Sequence, residues 1–218
     1  MTITCISDTH RAISNPDERG RLTALLPGGE CLVHAGDLSA RGTIPEIQEF
    51  LEWFASLNYT HKIFIAGNHD HLFEKDPSLA KRMVEDYPGL TYLNDSGAEI
   101  EGIRFWGSPI TPYFHNWAFN RFPDRIAQHW EIIPDNTQVL ITHGPPKGIL
   151  DFLDDSSRVG CPALLRKVRS VKPKAHIFGH IHCARGIDRI DTTTFVNAAV
   201  LDDAYRLIDS TPFELEII

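Results

Sequence analysis

The chain has 218 residues, 42% of them hydrophobic, with a formal charge of −8 when histidine is counted neutral. That length suits one α/β domain, so residues 1–218 are expected to form a single unit. The acidic balance argues against a surface built for long nucleic acids, and no window carries the eighteen or so apolar residues of a membrane span.

In chain order, Thr2 to Ile6 and Cys31 to Ala35 read as strands. Thr43 and Glu46 then form a capping box with Pro45 in the first turn, and Ile44, Ile47, Phe50, Leu51 and Phe54 follow on one helical face. Lys62 to Ala66 is the next strand. Asp76-Pro77 opens a second helix that ends near Pro88-Gly89. Thr91 to Leu93, Ala98 to Ile100 and Ile103 to Trp106 read as a strand and then a hairpin. Asp124 to Glu131 is helical, Gln138 to Thr142 a strand, Pro162 to Val171 a helix and Ala175 to Phe178 a strand. Ile187 to Ile190, Thr193 to Asn197 and Phe213 to Ile217 predict an antiparallel finish. The early βαβ alternation implies parallel strands, and the later hairpins a second, mixed sheet packed against the first, with helices outside.

Polar runs follow five of these strands: Ser7-Asp8-Thr9-His10, Ala35-Gly36-Asp37, Gly67-Asn68-His69-Asp70, Thr142-His143-Gly144 and Gly179-His180-Ile181-His182. Loops at the C-terminal edge of an open α/β sheet converge while the strands hold them rigid, so ligands collect there. Any one run is an ordinary turn, since Asp, Asn and Gly favour turns. Turns do not need histidine, however, and four of the five runs contain it. Residues two apart on an extended segment point the same way, so Asp8/His10 and His180/His182 can each present two donors to one site.

Asp8, His10, Asp37, Asn68, His143, His180 and His182 are too many donors for one ion and sufficient for two if a carboxylate bridges. Mixed carboxylate and imidazole donors suit Mn first, with Fe, Zn, Ni or Co as alternatives, rather than Mg or Ca alone. Two divalent ions, two carboxylates and a bridging hydroxide leave about +1, which suits a phosphodiester anion.

The same runs resemble the five signature blocks of the calcineurin-like metallophosphoesterase superfamily, D-x-H, GD, GNH[D/E], a lone H before G, and GHxH, each intact between Asp8 and His182. The resemblance implies an α/β fold of four αββα layers, two mixed sheets flanked by helices. It implies that Asp8, His10 and His182 hold one metal and Asn68, His143 and His180 the other, with Asp37 bridging. It also implies that His69 protonates the departing oxygen or stabilises the phosphoryl oxygen while a metal-bridging hydroxide attacks. A closer resemblance is to the small metallophosphoesterase-domain phosphodiesterases. It rests on Gly107-Ser108-Pro109 leading into Tyr113 to Asn120, on Thr142-His143-Gly144-Pro145-Pro146 and on Phe195-Val196-Asn197. That subgroup hydrolyses phosphodiesters, cyclic nucleotides among them. The competing readings are a phosphomonoesterase or protein Ser/Thr phosphatase, and a non-catalytic scaffold of the same fold.

Tyr113, Asn116 and Trp117 are candidate pocket walls, with simple packing over the second sheet as the alternative. Arg41 stands where the superfamily's protein phosphatases carry a phosphate-binding arginine, although Ala40 replaces the acid before it. Asp70 is expected either to orient His69 or to begin the next turn, and His34 to pack behind Asp37. His61, His71, His115, His129 and His176 have no partner pattern and are read as structural or surface residues. The N-terminus lacks the basic start and cleavage site of a signal peptide. Cys5, Cys31, Cys161 and Cys183 form no CxxC pair, so a reduced, cytoplasmic protein is expected. A small phosphodiester or nucleotide is the expected partner, with no membrane and no obligate protein partner.

Overall fold

The computed structural model describes all 218 residues. The first half contains β1 (Thr2–Ile6), α1 (Pro16–Leu25), β2 (Gly29–His34), α2 (Ile44–Ser56), β3 (Tyr59–Phe64), α3 (His71–Lys75), α4 (Pro77–Glu85) and β4 (Leu90–Tyr92). The hairpin β5 (Ser96–Ile100) and β6 (Ile103–Ser108) follows, then the short pair β7 (Thr111–Pro112) and β8 (Asn120–Arg121). The rest is α5 (Pro123–His129), β9 (Val139–Thr142), α6 (Pro162–Val171), β10 (Ala175–Phe178), β11 (Gly186–Ile190), β12 (Thr193–Asn197) and β13 (Phe213–Glu216).

Two large mixed sheets result, in the orders β13-β1-β2-β3-β4 and β11-β12-β10-β9-β6-β5. In the first, β1 to β4 are parallel and only β13 is antiparallel. In the second, β6, β9, β10 and β12 are parallel, with β5 and β11 antiparallel at the edges. Strand alternation sets the layers. Ile3, Cys5, Val33, Ile63, Val139, Ile141 and Ile177 fill the space between the sheets. Leu32, Phe64, Leu140 and Phe178 turn the other way, into the core under the helices. The architecture is the expected αββα sandwich, and Cys5 and Cys31 lie in its central layer as small apolar residues.

Local rules account for the helices. Thr43 caps α2 through a complete capping box, and the face made by Ile47, Phe50, Leu51 and Phe54 is buried. Asp76 caps α4 with its side chain on the Leu79 N–H, and Pro77 takes the first position. The third C-terminal strand departs from the sequence reading. Phe213–Glu216 leaves its hairpin neighbours and pairs with β1, Thr2 opposite Glu216, as the outer edge of the first sheet.

Candidate metal centre

The parallel strands of both sheets end on one side of the molecule, and the five polar runs meet there. Asp8, Asp37, Asn68, His10, His143 and His182 are buried, while His69 and His180 are partly exposed. Four of these residues adopt positive φ, namely Asp8 (58°), His10 (42°), Asp37 (56°) and His180 (70°). A left-handed conformation costs an L-residue roughly 1–2 kcal/mol. Here it turns the chain sharply enough to face side chains back across the strand ends, and four such residues meet at this one place. Two glycines permit the close approach. A Cβ on Gly179 would lie 2.0 Å from Asp8 Oδ2, and one on Gly67 would lie 2.3 Å from Asp37 Oδ1.

The donors fall into sets whose ligand atoms lie within 4.8 Å of one another: Asp8 with His10 and His182, Asp37 with His143 and His180, and His10 with Asp37 and His69. Asp37 is therefore common to two sets. Its Oδ2 is 3.3 Å from His143 Nε2 and 3.6 Å from His10 Nε2, and its Oδ1 accepts the His69 N–H at 2.8 Å. His143 Nε2 also donates to Asn68 Oδ1 at 2.9 Å, and its Nδ1 donates to the Ala35 carbonyl at 2.9 Å. His182 Nδ1 donates to the Asp202 carbonyl at 3.0 Å, and its Nε2 lies 3.5 Å from Asp8 Oδ1. Backbone carbonyls behind the rings thus fix the nitrogen that faces the carboxylates, the usual support for a metal-ligating histidine.

Electrostatics divide the rings into two kinds. Burial lowers His10 and His180 to about 4, so both are neutral at physiological pH with lone pairs free. Burial would lower His143 and His182 as well, but Asp37 outweighs it at His143 and Asp8 at His182, raising each to about 9. Despite burial, neighbouring histidines hold both carboxyls below the usual range, His182 acting on Asp8 and His143 on Asp37. The two carboxylates call for cations. Protons on His143 and His182 meet that demand, and divalent ions on the same nitrogens would displace them. His10 fits a metal most directly, since both its ring nitrogens are buried without a hydrogen-bond partner.

His69 is held on three sides. Its Nδ1 donates to the Ala40 carbonyl at 2.8 Å, Trp117 stacks on its face at 4.1 Å, and His10 meets its edge at 4.6 Å. Because a carbonyl only accepts, Nδ1 carries the proton and Nε2 is the free nitrogen. Asp70 does not orient His69. Its carboxylate accepts the Leu38 and Ser39 N–H groups (3.0 Å each), the Ser39 hydroxyl (2.7 Å) and the Gly67 N–H (2.7 Å). It thereby locks the loop that carries Asp37 to the loop that carries Asn68. His34 sits behind this region, bonded to Thr9 Oγ1 at 3.0 Å and to the Gly36 N–H at 3.3 Å.

A cavity of about 500 Å³ opens beside the centre, lined by His10, Arg11, Ala40, Arg41, His69, His71, Trp117 and Tyr205. Arg41 and Trp117 are the two sequence-predicted wall residues that line it. Tyr113 is exposed and stacks on Phe122 at 4.4 Å, and neither it nor Asn116 lines the cavity. Ala118 N–H donates to the Asn68 carbonyl at 3.1 Å and Phe119 N–H to Glu74 at 2.9 Å, which pins Trp117 over His69. Arg11, His71 and Tyr205 escaped sequence reasoning. Arg11 directly follows His10 and His71 lies two past His69, a spacing that could have flagged both; Tyr205 carried no such signal. Cys183 groups with the exposed Asp154 and Asp203, and its thiol donates to the Phe152 carbonyl at 3.3 Å.

Two packed sheets with a buried Asp/His cluster on their shared edge define the donor set of a metal centre. The chain belongs to the calcineurin-like phosphoesterase family, whose model matches residues 1–184. Human metallophosphoesterase domain-containing protein 1 is 38% identical over 229 residues, which cover 94% of this chain and 68% of the human one. A cAMP/cGMP dual specificity phosphodiesterase of Mycobacterium tuberculosis is 24% identical over 196 residues, covering 81% of this chain and 60% of its own. The TT1561 protein of Thermus thermophilus shares the fold at a TM-score of 0.62 with 12% identity, over 90% of this chain and 88% of that one. No helix of the chain is long and apolar enough to cross a membrane.

Proposed function

We propose that the protein is a phosphodiesterase that hydrolyses small phosphodiesters, cyclic nucleotides among them, with two divalent ions, manganese first. Asp8, His10 and His182 would hold one ion, Asn68, His143 and His180 the other, and Asp37 would join them. Such ions supply water activation and charge neutralisation at phosphorus. The observation that carries this reading is His10, a buried imidazole with two unpartnered nitrogens among two carboxylates.

His69 has the place and tautomer for proton transfer. Its Nδ1–H is committed to Ala40, so Nε2, with its lone pair free, is the nitrogen that would take a proton from solvent and pass it to the departing oxygen. A cavity of about 500 Å³ with aromatic and guanidinium walls suits a nucleotide-sized diester better than a protein loop. The activity of the mycobacterial relative supports the choice of cyclic nucleotides. The cysteines are free, three of them buried, which fits a reducing compartment, and we place the enzyme in the cytoplasm.

The test is hydrolysis of bis-p-nitrophenyl phosphate against p-nitrophenyl phosphate by EDTA-stripped protein given Mn²⁺. Diester cleavage is expected to dominate, and His69→Ala to lower kcat by about 10²–10⁴-fold while both ions stay bound. Preference for the monoester would move the reading to a phosphatase. No turnover with any of several divalent ions would leave only a scaffold of this fold.

A further inference from the structure

Tyr205 lies outside all five strand-end runs, in the turn between β12 and β13, yet it belongs to the centre. Its ring meets His10 edge-on at 5.0 Å and His182 at 5.4 Å, so it touches one imidazole from each sheet. It lines the same cavity as His69 and Trp117. Its backbone is left-handed, with φ 58°, a conformation that a bulky L-residue keeps only when its surroundings impose it.

Those surroundings are identifiable. The Asp202 carboxylate accepts the Ala204 and Arg206 N–H groups at 2.9 Å each and Arg206 Nε at 2.8 Å. Tyr205 N–H donates to the Asp202 carbonyl at 2.8 Å, and that same oxygen accepts the His182 Nδ1 proton. Leu201 and Leu207, both buried, close the turn across an antiparallel bridge. One residue, Asp202, therefore fixes the orientation of the His182 ring and the placement of Tyr205. The phenol hydroxyl takes no part in this clasp. Arg11 and Arg41 line the cavity beside it, so the wall is built for an anion.

We propose that Tyr205 is a substrate-positioning residue whose ring is seated on His10 and His182 and whose hydroxyl donates to a non-bridging phosphoryl oxygen. The inference rests on the phosphoesterase reading and adds to it the wall that holds the phosphoryl group. A phenol is a neutral donor at physiological pH, and a hydrogen bond to a charged oxygen is among the stronger ones.

Tyr205→Phe keeps the ring and removes only the oxygen, and Tyr205→Ala removes both. Inorganic phosphate is titrated calorimetrically into the Mn²⁺-loaded wild type and both variants, bound manganese is counted by elemental analysis, and bis-p-nitrophenyl phosphate turnover is measured alongside. Tyr205→Phe is expected to weaken phosphate binding and lower kcat/KM about tenfold, with its manganese content unchanged. Tyr205→Ala is expected to fall further. Unchanged phosphate affinity and turnover in Tyr205→Phe would overturn the inference and leave the diesterase reading standing. Weakened phosphate binding with no diester turnover even by the wild type would support the contact while removing the diesterase reading. A wild type that neither binds phosphate nor turns over the diester would overturn both.

Discussion

The two sheets reach the centre with different chemistry. The ends of β1, β2 and β3 bring both carboxylates, His10, Asn68 and His69, whereas β9 and β10 bring only the imidazoles of His143, His180 and His182. Fixed negative charge comes from one half, and the two imidazoles that hold protons against it, His143 and His182, from the other. Neither half has a complete donor set, so the centre exists only where the sheets pack. Behind this difference lies a likeness. Each sheet braces its strand ends with a buried threonine–histidine pair, Thr9–His34 in the first and Thr142–His176 in the second.

Asp37 is where the division is tested hardest, because its carboxylate faces His143 of one sheet and His10 of the other. Asp37→Ala is expected to lower diester turnover by roughly a thousandfold or more, since it removes the charge shared by two donor sets. Elemental analysis is expected to show fewer than two ions per chain. Retention of both ions would mean that the sheets hold metal independently, and the picture of a shared carboxylate would fail.

Gly179→Ala probes the seam between sheets from the imidazole side. The added methyl would meet Asp8 Oδ2 at 2.0 Å and Ser7 Oγ at 2.2 Å, atoms belonging to the other sheet's first strand end. Relief requires the two strand ends to part, at a cost of about 1–3 kcal/mol. A lowered midpoint in urea together with weakened metal binding is the expected result. A loss of stability without any loss of metal would show that Asp8 can shift and still ligate.

The five strand ends were legible because each pairs a short β-rich run with a polar turn, and a strand's C-terminal edge has one location in a parallel sheet. The capping box at Thr43 was legible for the same local reason. Helix α1 was not, because only Leu22 of its ten residues is buried and no apolar stripe marks it. Nor was the sheet that Phe213–Glu216 joins. An edge strand alternating exposed and buried residues carries no local sign of its neighbour, and its pairing with β1 is a property of the assembled layers. Tyr205 illustrates the same limit inside the site. Its ring reaches His10 and His182 only because the Asp202 turn folds back over the strand ends, and the contact with His10 joins opposite ends of the chain, which no local pattern announces.

The threonine–histidine pairs give the finest comparison. Thr142 Oγ1 donates to the Gly144 carbonyl at 2.8 Å, so it must accept from His176 Nε2–H, also at 2.8 Å, and His176 Nδ1 is left without a partner. His34 is bonded at both nitrogens, since its Nδ1 accepts the buried Gly36 N–H. Burial lowers both rings to about 3, and at His34 the charges of Asp8 and Asp37 only partly oppose it. Each ring is therefore neutral in the folded protein and takes up a proton more readily when unfolded. Neither ring penalises the fold above pH 6.5, and each takes stability away as pH falls from there toward 3, by about 5 kcal/mol per ring. In EDTA-stripped protein, urea unfolding between pH 8 and 3 is expected to show this decline, and His176→Phe to flatten it. At neutral pH that variant is expected to cost only about 1 kcal/mol, because Thr142 keeps its bond to Gly144. His34→Phe strands the Gly36 N–H and is expected to cost more, about 1–3 kcal/mol. Equal costs at neutral pH would mean that the two braces are equivalent after all, and that the sheets differ only in the donors they present to the metal.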